Sequence, residues 1–268
     1  MVKMVFSDID GTLLTDDKRV TARTEAAVKG LLQKDIPFVL VSARMPEAIY
    51  PITEKMGIEI PLICYSGGLV LTREGETLAS TVMEADVTSR FLEEAGRRFP
   101  DATVNYYAGH HWYVRDRKDP RVIFEMEITG AKAEEADFGA CLQEGILPHK
   151  ILMMMEPPDC EQAERELQEL FPSLNVVRSA PTLLEIMDRS VTKASGIEVM
   201  LRHYGLTADE ALSFGDNYND LEMLRYTGTS VAMGNAPDAV KAAATDVTRS
   251  NEEDGIYAYL TQHGLSIC

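Results

Sequence analysis

Short, almost wholly apolar runs recur along the first quarter of the chain and again along its last third, each bounded by polar or glycine-containing segments. The runs at 4–9, 37–41 and 61–65 are mostly apolar at successive positions rather than at alternate ones, the first apart from Ser7 and Asp8. That pattern predicts strands buried on both faces. Between the first two runs, 21–34 carries Ala27, Val28, Leu31 and Leu32 at helical spacing behind Thr21, a predicted N-cap. Short β-branched runs alternating with helices predict a parallel sheet covered on both sides, and in such sheets functional residues collect at the carboxyl ends of strands.

The pattern then changes. After Ser66-Gly67-Gly68 a hairpin is predicted, 69–72 and 76–81 turning at Glu74-Gly75. From about 84 the order reads helix 86–98, strands 103–107 and 112–115, a helical segment around 133–142, strand 151–155, helix 159–170 and strands 175–179 and 183–187. In 159–170 the stripe Ala163, Leu167, Leu170 predicts a helix lying on a sheet face. The Met153–Met155 run reads as buried strand. From Val191 the alternation returns: helix 193–204 with Ile197, Met200, Leu201 and Tyr204 inward, strand 211–215, helix 220–226, strand 229–233, and helices 237–244 and 254–263. The chain is therefore expected to be α/β, a Rossmann-like parallel core of 1–83 and 188–268 with an α+β module inserted at 84–187.

Composition narrows the function. With 45% hydrophobic residues, 268 residues are ample for a packed core. The formal net charge of -17 argues against nucleic acid or an anionic membrane as partner, since both need basic stripes. No apolar run reaches membrane-span length, and Asp8 arrives too early for a signal-peptide hydrophobic region, so the cytoplasm is the expected location. The sequence sets no oligomeric state. Cys64, Cys141, Cys160 and Cys268 form no C-x-x-C pair and are expected to be reduced thiols. His110-His111 before Trp112 reads as a polar turn entering a strand, and Tyr106, Tyr107, Trp112, Tyr113 and Arg115 read as strand packing.

The chemistry concentrates at strand ends. FSDIDGTLL places Asp8 and Asp10 two residues apart after the first strand, where two unit charges about 4 Å apart repel by roughly 4 kcal/mol at an effective dielectric of 20. FGDNYND places Asp216 and Asp220 four apart after another strand. If the two strands are neighbours, several carboxylates meet in one cleft, which calls for a cation; ligands that are all oxygen select a hard ion such as magnesium. Ser42, at the end of the second strand, and Lys193, opening a helix, would complete a phosphate site with a hydroxyl and a point charge.

The order D-x-D-G-T-L-L, Ser, Lys, G-D-x-x-N-D resembles that of the haloacid dehalogenase superfamily of phosphohydrolases. It looks most like the Cof-like branch with a large α/β cap, and the tail VAMGNAPDAVKAAATDVTRSNEEDGIYAYL is similar to that branch throughout. The resemblance implies Asp8 as nucleophile and Asp10 as general acid and base. It implies Ser42, Lys193 and Asn219 as phosphoryl-binding residues. Magnesium would be held by Asp8, the Asp10 carbonyl and Asp216, with Asp220 in support. V-S-A-R at 41–44 and Y-S-G-G at 65–68 depart from the branch's usual T-G-R and N-G-A. The implied activity is a magnesium-dependent phosphatase on small phosphorylated metabolites, sugar phosphates or related compounds, through an aspartyl phosphate. A phosphomutase using the same intermediate and a non-catalytic phosphate-ester binding protein are the alternatives.

Overall fold

The computed structural model describes residues 1–265, so Cys268 lies outside the described residues. The chain forms two compact units, one of Met1–Ala43, Ile52–Ala79 and the chain from Thr192 on, the other of Arg44–Pro51 and Ser80–Val191. Among the described residues no helix is long and apolar enough to cross a membrane. Cys64, Cys141 and Cys160 are buried and form no disulfide among the described residues.

The first unit is built on an eight-stranded sheet. Its strands are β1 (Met4–Ser7), β2 (Phe38–Val41), β3 (Leu62–Cys64), β4 (Leu69–Leu71) and β5 (Thr77–Ser80). After the second unit's six strands, β6 to β11, come β12 (Ala211–Gly215), β13 (Thr229–Ala232) and β14 (Asp246–Val247). The order is β14-β13-β12-β1-β2-β3-β4-β5, parallel from β14 through β3. All four residues of β1 are buried, as its apolar run Met4–Phe6 requires, and Ser7 Oγ is satisfied by the Asp8 carbonyl. Met4, Phe6, Val39, Val41 and Ile63 pack against Ile197, Met200 and Leu201 of the Lys193–Tyr204 helix. Tyr204 itself is 40% exposed, correcting the expected inward face: it is the last residue before the helix ends at left-handed Gly205. Thr21 caps the Ala22–Gln33 helix by accepting from Thr24 N–H. β14 was not anticipated, because two exposed residues carry no apolar pattern.

The second unit holds a six-stranded sheet of β6 (Thr103–Ala108), β7 (His111–Val114), β8 (Glu134–Glu135), β9 (Lys150–Met154), β10 (Leu174–Ala180) and β11 (Leu183–Asp188). Their order is β10-β11-β9-β6-β7-β8, antiparallel except for β7 with β8. One sheet face, with Tyr106, Ile151, Met153, Leu184 and Ile186, buries Phe91 and Ala95 of the Ala85–Arg98 helix and Cys160, Ala163 and Leu167 of the Pro157–Leu170 helix. Leu170 is 39% exposed, so the stripe runs through Cys160 instead. The segment expected to be helical at 133–142 splits into β8 and a short helix, Phe138–Gln143. A helix at Pro120–Thr129 was missed: Val122 is buried, but Ile123, Phe124 and Ile128 are exposed, so no amphipathic stripe marks it. The observed fold is thus α/β, a Rossmann-like parallel core carrying an inserted α+β module.

Candidate active site

Because β1 and β12 pair in parallel, with Ser7 opposite Phe214, the residues that follow them emerge together at the carboxyl end of the sheet. Asp8 N–H donates to the Phe214 carbonyl at 3.0 Å, carrying the pairing one residue past β1. Asp216 follows Gly215, the last residue of β12. Ser42 follows β2, on the other side of β1, and is buried; its N–H donates to Ile63 O at 2.8 Å and its carbonyl accepts from Ser66 N–H at 2.8 Å.

Lys193 opens its helix behind the Thr192 cap, and its buried ammonium lies 2.5 Å from Asp8 Oδ1 and 2.6 Å from Asp220 Oδ1. The other Asp220 oxygen accepts from the N–H groups of Asp216 and Asn217, at 2.9 and 3.0 Å. Asp220 is therefore fully engaged, organising Lys193 and the turn after β12. A Cβ on Gly215 would lie 2.6 Å from that of Asp220, so the glycine makes room for this carboxylate.

Asp216 is held on the opposite side. Thr12 Oγ1 donates to its Oδ1 at 2.8 Å, and its carboxylate occupies the space a Cβ on Gly11, at φ +81°, would need. Asp10 is more exposed and accepts from Lys18 Nζ at 2.8 Å. Asn219 is exposed in the Tyr218–Asp220 turn, and among the described residues no hydrogen bond joins it to Asp8, Ser42 or Lys193. The ligand oxygens of Asp8, Asp216 and Asp220 lie within 4.8 Å of one another.

The electrostatics follow from burial. Loss of solvent raises the Asp8 carboxyl above the ordinary carboxylate range, against the lowering effect of Lys193. Burial pushes Asp216 up to about 6, the Thr12 bond opposing it. Burial alone would lower Lys193, but Asp220 and Asp8 hold it above its ordinary value. Asp8 and Asp220 thus share one buried ammonium with Asp216 close by, and the crowding of carboxylates favours the protonated forms of Asp8 and Asp216. An all-oxygen donor set with that crowding fits a hard divalent cation, which would replace the protons.

The Y-S-G-G departure has a structural counterpart. Tyr65 and Ser66 are both left-handed, at φ 51° and 54°, an arrangement costing on the order of 1–3 kcal/mol per residue. Gly67, at φ +109°, packs against the Thr192 carbonyl with no space for a side chain, and a Cβ on Gly196 would lie 2.5 Å from Ile63 Cγ2. The turn therefore seats the first turn of the Lys193 helix. Ala43, in the V-S-A-R departure, is half-buried.

Comparison with known proteins decides the family. The model for haloacid dehalogenase-like hydrolases matches residues 5–260. This chain belongs to the haloacid dehalogenase-like hydrolases. A Haemophilus influenzae protein, assigned provisionally to the phosphatases by its name, is 36% identical over 263 residues, 98% of each chain. The 5-amino-6-(5-phospho-D-ribitylamino)uracil phosphatase YitU of Bacillus subtilis is 26% identical over 273 residues, 97% of each chain. Among solved structures, a haloacid dehalogenase-like hydrolase from Bacteroides thetaiotaomicron superposes with TM-score 0.88 at 28% identity, covering 98% of this chain and 100% of its own.

Sequence reasoning missed three residues that this hydrolase places around the carboxylates: Thr12, Lys18 and Asn235. Thr12 stands inside the D-x-D-G-T motif and Asn235 inside MGNAP, so position marked both. Nothing marked Lys18. It reaches Asp10 because the tight turn from Thr15 to Arg19 puts it at φ 60° and sends its ammonium back.

Proposed function

We propose that this enzyme, a phosphoric monoester hydrolase, is a magnesium-dependent phosphatase for small phosphorylated metabolites, sugar phosphates or related compounds, working through an aspartyl phosphate. The observation that carries the reading is the Lys193 ammonium bound to one oxygen of Asp8 at the carboxyl ends of β1 and β12. Lys193 holds Oδ1, which leaves Oδ2 to attack phosphorus. The bond from phosphorus to the substrate oxygen breaks as the bond to Asp8 forms, and Asp10 gives its proton to the departing oxygen. Asp10 then takes a proton from a water that attacks the same phosphorus, releasing inorganic phosphate and restoring Asp8. Ser42 and Lys193 hold phosphoryl oxygens, with Asn219 swinging in from its exposed turn. Asp8, Asp216 and the Asp10 carbonyl would hold magnesium, which supplies positive charge between an anionic nucleophile and an anionic substrate. Asp220 supports the site through Lys193 and the Asp216 N–H. The phosphate monoester in the name of the Bacillus subtilis relative supports a small substrate of this kind.

The test is rapid acid quench during turnover, followed by digestion. A phosphopeptide containing Asp8 is expected with magnesium present, together with stoichiometric phosphate release and no isomerised product. Asp8→Asn is expected to abolish both signals while the protein stays folded. Absence of the phosphopeptide across several good substrates would end the covalent reading, and full activity in metal-free buffer would end the magnesium reading.

A further inference from the structure

The loop that follows β1 is gripped by the C-terminal part of the chain, and the grip extends to the Asp216 carboxylate. Asn251 is 7% exposed. Its side-chain amide donates to Leu14 O at 3.0 Å and to Asp16 Oδ1 at 3.2 Å. Its backbone N–H donates to Asn235 Oδ1 at 3.1 Å. That last bond fixes which way the Asn235 carboxamide points: its oxygen accepts from Asn251, so its NH2 group faces Gly11 O at 2.9 Å and Asp216 Oδ2 at 3.5 Å.

Asp216 therefore has a neutral donor near each oxygen, Thr12 on Oδ1 and Asn235 toward Oδ2. Neutrality matters at a cation site. A lysine or arginine in either place would compete with the ion for the same carboxylate, whereas a hydroxyl and an amide orient it and leave its charge available. The lysine of the site sits on the Asp8 and Asp220 side instead.

The segments that present Asn235 and Asn251 are locked together. Gly234 N–H donates to Arg249 O at 2.9 Å, and a Cβ on Gly234 would lie 2.7 Å from Ser250 N. At the far end of the turn Asp254 is left-handed, at φ 57°, and accepts from Thr21 Oγ1 at 2.5 Å.

The geometry points to Asn235 as a positioning residue for Asp216 in cation binding, with buried Asn251 acting through it; the inference rests on the reading of Asp216 as a metal ligand given above. The test measures manganese binding to the ion-free, full-length protein without substrate, by loss of the free-ion electron paramagnetic signal. Asn235→Ala alters an exposed side chain and is expected to weaken the dissociation constant about tenfold, the lower end of the range for groups that orient metal ligands. Asn251→Ala releases Leu14 O and Asp16 but keeps the backbone N–H that holds Asn235, and is expected to have a smaller, several-fold effect, with the double variant no more than about twofold worse than Asn235→Ala, since both act on one carboxylate. If Asn251→Ala does not fold, Asn251→Ser takes its place and Asn235→Ala alone decides. Binding by Asn235→Ala within about twofold of wild type, or multiplicative losses in the double variant, would overturn the inference. Asp216→Asn separates the two levels. If it binds manganese like wild type, or if wild type binds none, the metal-ligand reading falls and the inference with it. If it loses binding while Asn235→Ala keeps it, only the inference falls.

Discussion

In the inserted unit Asn105 is fully buried and both ends of its amide are engaged: Nδ2 donates to Leu152 O at 3.1 Å, and Oδ1 accepts from Trp112 Nε1 at 3.0 Å. In the core unit Asp8 is almost as deeply buried, yet only its Oδ1 meets a cation, and that cation is shared with Asp220. The first arrangement is closed and contributes to one well-defined packing. The second gathers more carboxylates than its single buried ammonium can pair. Burial of polar groups thus marks stability in one unit and chemistry in the other, and the difference lies in whether the partners balance.

The contrast breaks most sharply at Lys193. Lys193→Met leaves Asp8 and Asp220 buried without their shared cation, and is expected to destabilise the protein by about 3–5 kcal/mol as well as abolish measurable turnover. Denaturant melts beside phosphate-release assays check it; an unchanged melt would mean that the carboxylates are balanced by some other group.

The two units should also respond oppositely to acid. His149 is buried, accepts from Gly109 N–H at Nδ1, 3.0 Å away, and therefore offers its Nε2 proton to Ser80 Oγ at 2.9 Å. Burial, with a smaller push from His110, lowers its pKa from 6.5 to about 4. The unfolded chain binds this proton first, so the contribution of neutral His149 is fully present above about pH 6.5 and is lost as the pH falls toward 4, a change of up to about 3 kcal/mol. Asp216, raised to about 6, has the opposite sign: the ion-free site loses stability as the pH rises from about 4 to 6. Melts at pH 4.5 and 7, comparing wild type with His149→Gln and Asp216→Asn, should show differences of opposite slope. A shared slope would remove the distinction between the units.

Asn105→Ala gives the smallest effect. It strands the buried Trp112 N–H and removes the side-chain bond to the Leu152 carbonyl, and is expected to cost about 2 kcal/mol of stability with turnover within a few-fold of wild type. A turnover loss as large as that of Lys193→Met would show that the closed network also serves the chemistry.

Much of this organisation was legible in the sequence. Residues in β1, β2 and β12 face packing on both sides, so their runs are apolar apart from small buried serines, and a carboxylate directly after such a run stands at a strand end. Legibility failed where a local pattern was incomplete. The Pro120–Thr129 helix has its Asp119 cap, Pro120 at its start and left-handed Gly130 at its end, but its exposed apolar face hid the period. Thr12, Lys18 and Asn235 depend on loop conformations that no periodicity encodes. Asp220 read as a supporting metal group; its three hydrogen bonds could be assigned only once Lys193 and the two loop N–H groups were in place.

The strand order also has a consequence for synthesis. β1 needs β12 as a neighbour, and Asp8 meets a lysine 185 residues further along the chain. While the ribosome is making the inserted unit, β1 therefore waits with one edge unpaired and its aspartate without a counter-charge. Most of the inserted unit, Ser80–Val191, is by then one continuous stretch of nascent chain. A truncated product ending before Asp220 would have Asp8 but lack the Asp220 contacts that hold the lysine and the β12 turn, so incomplete chains released in the cell would carry an unfinished carboxylate cluster.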